Sequence, residues 1–173
     1  MKKVLIIVDM QNDFVSGSLG SKEAQAILKP AAEYVKSFNG EIVVTYDTHR
    51  DDYLTTPEGK KLPVPHCTLG SSGWQLAPEI SEALANKSYK TMKKNTFGAT
   101  ALPAYIQETF RNFDKIELIG LCTDICVISN ALLLKNSFPN VEIAVHESLC
   151  AGVTPEKHNA ALEVMKSCQI DIV

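Results

Sequence analysis

The sequence predicts a single three-layer α/β domain, doubly wound around a mostly parallel six-stranded sheet. Strand-like runs of β-branched residues alternate with stretches of helical periodicity along the chain. The strand runs are continuously apolar, as expected where both faces of a sheet are buried. The unusual polar residues follow those runs closely, at the strand ends where open α/β sheets carry their sites. The 173 residues suffice for one domain with a sizeable core, and no linker or short-period repeat divides residues 1–173.

Lys3 to Val8 is the first strand, and Asp9 ends it. Phe14 to Gly20 is a loop with two glycines. Ser21 caps a helix in which Ala24, Ile27, Leu28, Ala31, Ala32, Val35 and Phe38 recur at helical spacing, with Pro30 bending its start. Asn39-Gly40 stops that helix. Glu41 to Tyr46 is the second strand, ending in Asp47-Thr48-His49. A long polar loop then runs from Arg50 to about Gly73, a length usually reserved for function. Trp74 to Leu84 reads as a short helical segment. Tyr89 to Met92 is the third strand, with Lys93 to Thr100 as its exit loop. Leu102 to Phe110 is helical, and Lys115 to Gly120 is the fourth strand. A tight turn and a helix to about Lys135 follow. Asn140 to Val145 is the fifth strand, and His146 to Gly152 a loop. Thr154 caps a last helix with Pro155 at its first position, running to about Cys168. Ile170 to Val173 is a short sixth strand.

The net charge of −3 argues against nucleic-acid and anionic-membrane partners, which want a basic field. Val4 to Val8 is far too short to span a membrane, and no small-residue cleavage site follows it, so the cytoplasm is the expected location. Five cysteines without a signal peptide do not read as a disulfide scaffold. Cys122 and Cys126 have no second pair at zinc spacing, which argues against a cysteine-only metal site. No G-x-G-x-x-G, P-loop or G-x-S-x-G pattern occurs, so dinucleotide binding and serine α/β-hydrolase chemistry are not expected.

Strand ends supply the chemistry. Cys126 falls at the first turn of a helix, where backbone N–H groups and the helix dipole favour a thiolate. Inert packing is the commoner fate of a lone cysteine. Asp9 can accept the proton of a thiol and pass it to a leaving amine, and Lys94 can orient that carboxylate and hold the thiolate. Spacing alone does not separate Lys94 from Lys93. Asp47, His49, Glu58 and His66 form a second cluster, a mixed nitrogen and oxygen set suited to Zn, Fe or Mn. On spacing alone these four can equally be ordinary loop residues. No motif recruits His146, read as a strand-end or loop residue, or His158, read as a surface helix residue.

With these residues in place, the chain resembles the isochorismatase-like cysteine hydrolases, and within them the nicotinamidase/pyrazinamidase group. The resemblance covers essentially the whole chain. It rests on Val8-Asp9-Met10-Gln11-Asn12-Asp13-Phe14, on Lys94-Asn95-Thr96-Phe97-Gly98, and on Gly120-Leu121-Cys122-Thr123-Asp124-Ile125-Cys126-Val127 as a Gly-x-x-Thr-x-x-Cys-Val turn. It implies Asp9, Lys94 and Cys126 as the catalytic residues, choosing Lys94 over Lys93. It implies a cis peptide at Leu121–Cys122 and an oxyanion hole from the backbone N–H groups of Cys122 and Cys126. It implies one divalent metal ion, zinc before iron or manganese, on Asp47, His49, Glu58 and His66, contacting the ring nitrogen of the substrate. Phe14 and Phe97 would sandwich that ring.

The implied reaction is hydrolysis of a small-molecule amide through a thioester on Cys126, nicotinamide to nicotinate plus ammonia, as in NAD salvage. Water activated by Asp9 or delivered by the metal would free the acid. A homo-oligomer is compatible with this reading. Gly98 stands where the family more often has serine, and Pro63 where nicotinamidases usually carry a stacking aromatic. The alternatives are a family amidase for a carbamoyl or ureido compound, and a non-catalytic binding or scaffold domain. Isochorismate hydrolysis is disfavoured, because enzymes for that vinyl ether typically do without the cysteine.

Overall fold

The computed structural model describes residues 2–173, in which β1 (Lys3–Val8) is the strand on which the others are laid. Val4, Ile6 and Val8 point into one apolar layer, and Leu5 and Ile7 into the other. This is why the run is continuously apolar. β2 (Glu41–Asp47) and β4 (Lys115–Leu121) flank β1. β3 (Lys90–Lys94), β5 (Glu142–Ala151) and β6 (Asp171–Ile172) complete the sheet in the order β3-β2-β1-β4-β5-β6. Every pairing is parallel. The winding direction reverses between β1 and β4, and the crevice beyond their C-terminal ends is the ligand position of such sheets.

α1 (Asn12–Val15), α2 (Lys22–Ala26), α3 (Leu28–Ser37), α4 (Pro57–Lys61) and α5 (Pro78–Leu84) precede β3. α6 (Leu102–Phe110), α7 (Ile128–Ser137) and α8 (Pro155–Ser167) follow it. α3 and α5 cover the sheet face carrying Leu5 and Ile7, and α6, α7 and α8 cover the other. Among the described residues, no helix is long and apolar enough to cross a membrane.

Four local expectations are corrected. The helix expected from Ser21 to Phe38 is two, broken at Ile27. The break puts Pro30 in the first turn of α3, where a missing N–H costs nothing. The helix expected from Trp74 starts only at Pro78. The long loop holds a single 3₁₀ turn, Tyr53–Thr55, and α4. Side chains tie it down: Cys67 N–H donates to Asp13 Oδ2 at 2.8 Å, and the Tyr53 hydroxyl to the Leu62 carbonyl at 2.9 Å. Finally, His146 to Ala151 belongs to β5 and is not a loop. The polar His146-Glu147-Ser148 break coincides with a register shift, after which Gly120 pairs with Cys150 and Leu121 with Ala151.

Candidate active site

The register of the sheet places the reactive residues side by side. Asp47 ends β2 directly opposite Lys94, the last residue of β3. Asp9 follows Val8, whose partner on β2 is Thr45. Asp9 has φ 46°, an uncommon conformation for a non-glycine residue, and is fully buried. The Thr45 hydroxyl donates to Asp9 Oδ1 at 2.7 Å and accepts from the Asp9 N–H at 3.3 Å. Sequence reasoning missed Thr45; its one signal was a hydroxyl in an otherwise apolar strand core.

Lys94 is buried, with Nζ 2.5 Å from Asp9 Oδ2, 3.5 Å from Cys126 Sγ and 3.7 Å from Asp47 Oδ1. Lys93 is elsewhere, its ammonium 5.1 Å from the centre of the Trp74 ring. Burial opposes the charge on Lys94, but Asp9, Cys126 and Asp47 outweigh it and raise its pKa. Burial raises Asp9, against the pull of Lys94. Burial and the neighbouring Asp9 push Cys126 well above an ordinary thiol. One ammonium therefore faces two groups that each resist ionisation. Asp9 and Cys126 together hold a single negative charge at least cost, the other group keeping the proton. A proton shared in this way can move between the carboxyl and the thiol.

Cys126 does not start an ordinary helix. The segment Thr123–Val127 is a wide π-type turn, and α7 begins after it. The Cys122 carbonyl accepts from the N–H groups of Ile125 and Val127, both at 3.0 Å, and skips Cys126. Among the described residues, the Cys122 N–H has no backbone acceptor outside the regular elements, and the Cys126 N–H does not use the Cys122 carbonyl. The Leu121–Cys122 peptide is cis. Asn130, also missed from sequence, donates from Nδ2 to the Cys126 carbonyl at 2.8 Å and accepts the Ala99 N–H at Oδ1.

Beside this lies the second cluster. Asp47 Oδ2 stands 3.0 Å from His49 Nε2 and 3.4 Å from His66 Nε2, all three residues being buried. The Val64 carbonyl, 2.9 Å from His66 Nδ1, accepts its proton and turns Nε2 inward, the usual support of a ligating imidazole. Although burial works against it, hydrogen bonds from the two imidazoles hold Asp47 well below the usual carboxylate range. Two nitrogens and an oxygen converging in a buried spot are a donor set for a metal ion. Glu58 is more open, with Oε1 3.8 Å from both Nε2 atoms. It stands just outside the compact Asp47, His49 and His66 group.

One cavity of about 780 Å³ joins both clusters, with Cys122 and Cys126 on one side and Asp47, Glu58 and His66 on another. Phe14 and Phe97 also line it. The Phe14 ring packs 5.5 Å from that of His66, and Phe97 is half exposed at the mouth. His146 and His158 lie off the cavity but are not idle surface residues. His146 Nε2 is 3.0 Å from the buried Glu117, and His158 Nδ1 is 2.8 Å from Thr123 Oγ1.

The sequence pattern of the isochorismatase domain matches residues 3–173. The chain belongs to the isochorismatase family. Within that family, the nicotinamidase/pyrazinamidase of Mycobacterium tuberculosis is 29% identical to it, over 99% of this chain and 98% of that protein. The crystal structure of nicotinamidase/pyrazinamidase PncA from Bacillus subtilis superposes with a TM-score of 0.88 at 29% identity, covering all of both chains. The pyrazinamidase of Pyrococcus horikoshii, solved in complex with zinc, shares the fold at a TM-score of 0.83 and 24% identity, covering 100% of this chain and 99% of that one. The chain is thus a hydrolase of the isochorismatase family, similar over its whole length to nicotinamidases.

Proposed function

We propose that the protein is a metal-containing cysteine amidase that hydrolyses nicotinamide to nicotinate and ammonia. The observation that carries this is the contact chain Asp9–Lys94–Cys126, whose Cys126 end lines the same cavity as Asp47 and His66 of the Asp47, His49 and His66 group. The full-length similarity to nicotinamidases supports the choice of substrate.

Asp9 takes the Cys126 proton as the sulfur bonds to the carboxamide carbon. The carbonyl oxygen gains the negative charge, for which the backbone N–H groups of Cys122 and Cys126 would be the donors. Asp9 returns the proton to the amide nitrogen, the C–N bond breaks, ammonia leaves and a thioester remains. Asp9 then takes a proton from water, whose oxygen attacks the thioester. Collapse releases the acid, and the proton on Asp9 goes back to sulfur. Lys94 remains an ammonium throughout and keeps Asp9 in place. Phe14 and Phe97 would hold the faces of the ring. Asp47, His49 and His66, with Glu58 closing from α4, would hold a divalent ion, zinc by donor chemistry. When bound, the ion supplies a Lewis-acid anchor for the ring nitrogen.

The test is ammonia release from nicotinamide in metal-replete buffer, comparing the wild type with Cys126→Ala. Release by the wild type alone is expected. No release by the wild type would remove the nicotinamide assignment, and full activity in the variant would remove the mechanism. A second reading, an amidase for a carbamoyl or ureido compound, is favoured by Pro63 in place of a stacking aromatic. The same assay run on both substrate classes separates the two.

A further inference from the structure

A π-type turn offsets the hydrogen-bond register of an α-helix by one residue. In regular helix the Cys126 N–H would donate to the Cys122 carbonyl; here that carbonyl is used by Ile125 and Val127. Single π-type turns are rare within helices, so contacts from outside the turn are needed to hold this register. On its C-terminal side Asn130 and Ser129 bind the carbonyls of Cys126 and Ile125. On its N-terminal side the contacts come from the start of α8. Thr123 Oγ1 and His158 Nδ1 are 2.8 Å apart, and Thr123 is fully buried, so water does not compete for its hydroxyl. Asp124 Oδ1 accepts the Val153 N–H at 2.9 Å. Gly152 fits between them with no space left: a Cβ there would lie 2.8 Å from His158 N and 2.9 Å from Asp124 Oδ1. His158 is itself fixed in the first turns of α8, where its N–H donates to the Thr154 carbonyl at 2.9 Å.

We propose that His158 is a positioning residue: through Thr123 it holds the turn in the register that aims the Cys126 sulfur and N–H at the substrate carbonyl. This rests on Cys126 being the nucleophile. His158 does not line the cavity, so it acts through Thr123 and not on the substrate. Burial lowers its pKa against the opposing pull of Glu147 and Asp124, so the ring is neutral at pH 7 and adds no charge near the sulfur.

The experiment compares His158→Leu, His158→Asn and Thr123→Val for kcat, KM, melting temperature and the rate of Cys126 alkylation by iodoacetamide, followed on the Cys126 peptide by mass spectrometry. His158→Leu should lower kcat by about 10- to 100-fold, with KM within about twofold. Its alkylation rate should fall with kcat. His158→Asn, whose amide offers a hydrogen-bonding atom near the place of Nδ1, should recover much of both. Wild-type kcat and alkylation in folded His158→Leu would overturn the proposal. So would equal losses in the Leu and Asn variants that track a shared fall in melting temperature. Should His158→Leu not fold, Thr123→Val decides: it keeps the shape and removes the hydroxyl, and unchanged kcat there also overturns the proposal. Full activity in Cys126→Ala is a separate result, which removes the nucleophile and leaves the alkylation data to report on the turn alone.

Discussion

One ammonium serves three acidic neighbours at the centre of this site. Lys94 lies within 4 Å of Asp9, Cys126 and Asp47, and all of them are buried. Removing one partner of such a set leaves the other uncompensated, at a cost of about 3–5 kcal/mol. Lys94→Met should therefore destabilise the fold by about that amount in urea and abolish ammonia release. Asp9→Asn combined with Lys94→Met should regain much of the stability and none of the activity. A double variant no more stable than Lys94→Met would show that the loss does not come from stranding Asp9. At this scale the sequence was informative where residue type and strand end coincide, as at Asp9 and Cys126. Lys94 could be told from Lys93 only through the family pattern, because neighbouring residues of a strand differ in the face they occupy. His158, read as a surface helix residue, is partly exposed on α8, but its contact to Thr123 was not legible, because Thr123 is 35 positions away and no periodicity links them.

Among the elements, β4 shows how tightly the sheet is built around the site. Gly120 has φ 121°, and a Cβ there would lie 2.1 Å from the Val8 carbonyl oxygen. Gly120→Ala should thus force β4 away from β1, next to Asp9. We expect poor soluble yield or a melting temperature many degrees lower by calorimetry, and an unchanged transition would refute this close packing. Glu117 joins the elements lower down. It is buried, pairs with Lys3 at 2.9 Å and His146 at 3.0 Å, and accepts the Tyr34 hydroxyl from α3. Burial opposes its charge, but Tyr34, Lys3 and His146 outweigh that and bring its pKa down to about 2. An unfolded glutamate titrates near 4.3, so ionised Glu117 contributes on the order of 3 kcal/mol above that pH. The contribution fades as pH falls from about 4.3 toward about 2. Glu117→Gln should flatten the acid limb of stability in that window, and identical acid limbs would contradict it. The apolar runs of β1, β2 and β4 were legible because each strand is buried on both faces. The far half of β5 was not, because His146-Glu147-Ser148 interrupts the run at a register shift. The π-type turn was read as a plain helix start, since a hydrogen-bond offset leaves no mark on apolar spacing.

Across the molecule, six parallel strands bring residues from four segments to one edge of the sheet, and the strand order was not readable from the linear pattern. Metal binding should appear as a property of the whole fold. An ion that binds only the folded chain at about 100 times its Kd adds about 2.7 kcal/mol, or about 5–10 °C in melting temperature for this size. Zinc added to chelator-treated protein should give such a shift, and Asp47→Ala or His66→Ala should abolish it. No shift in the wild type would mean that the Asp47, His49 and His66 group holds no zinc. The loop that supplies His66 and Glu58 could not be ordered from sequence, because its anchors, such as Asp13 to Cys67, are distant along the chain.

The placement of β1 between β2 and β4 also governs when the protein can work during its own synthesis. Asp9 is made early, yet its neighbour on one side arrives only with β4, and the support for the cysteine turn only with α8. Cys126 itself is made only after 125 of the 173 residues, and its turn lacks that support until α8 follows. The Asp9, Lys94 and Cys126 arrangement is complete only once these late segments have docked onto the first strand, and a protease cut that releases α8 should leave the Cys126 turn without its support.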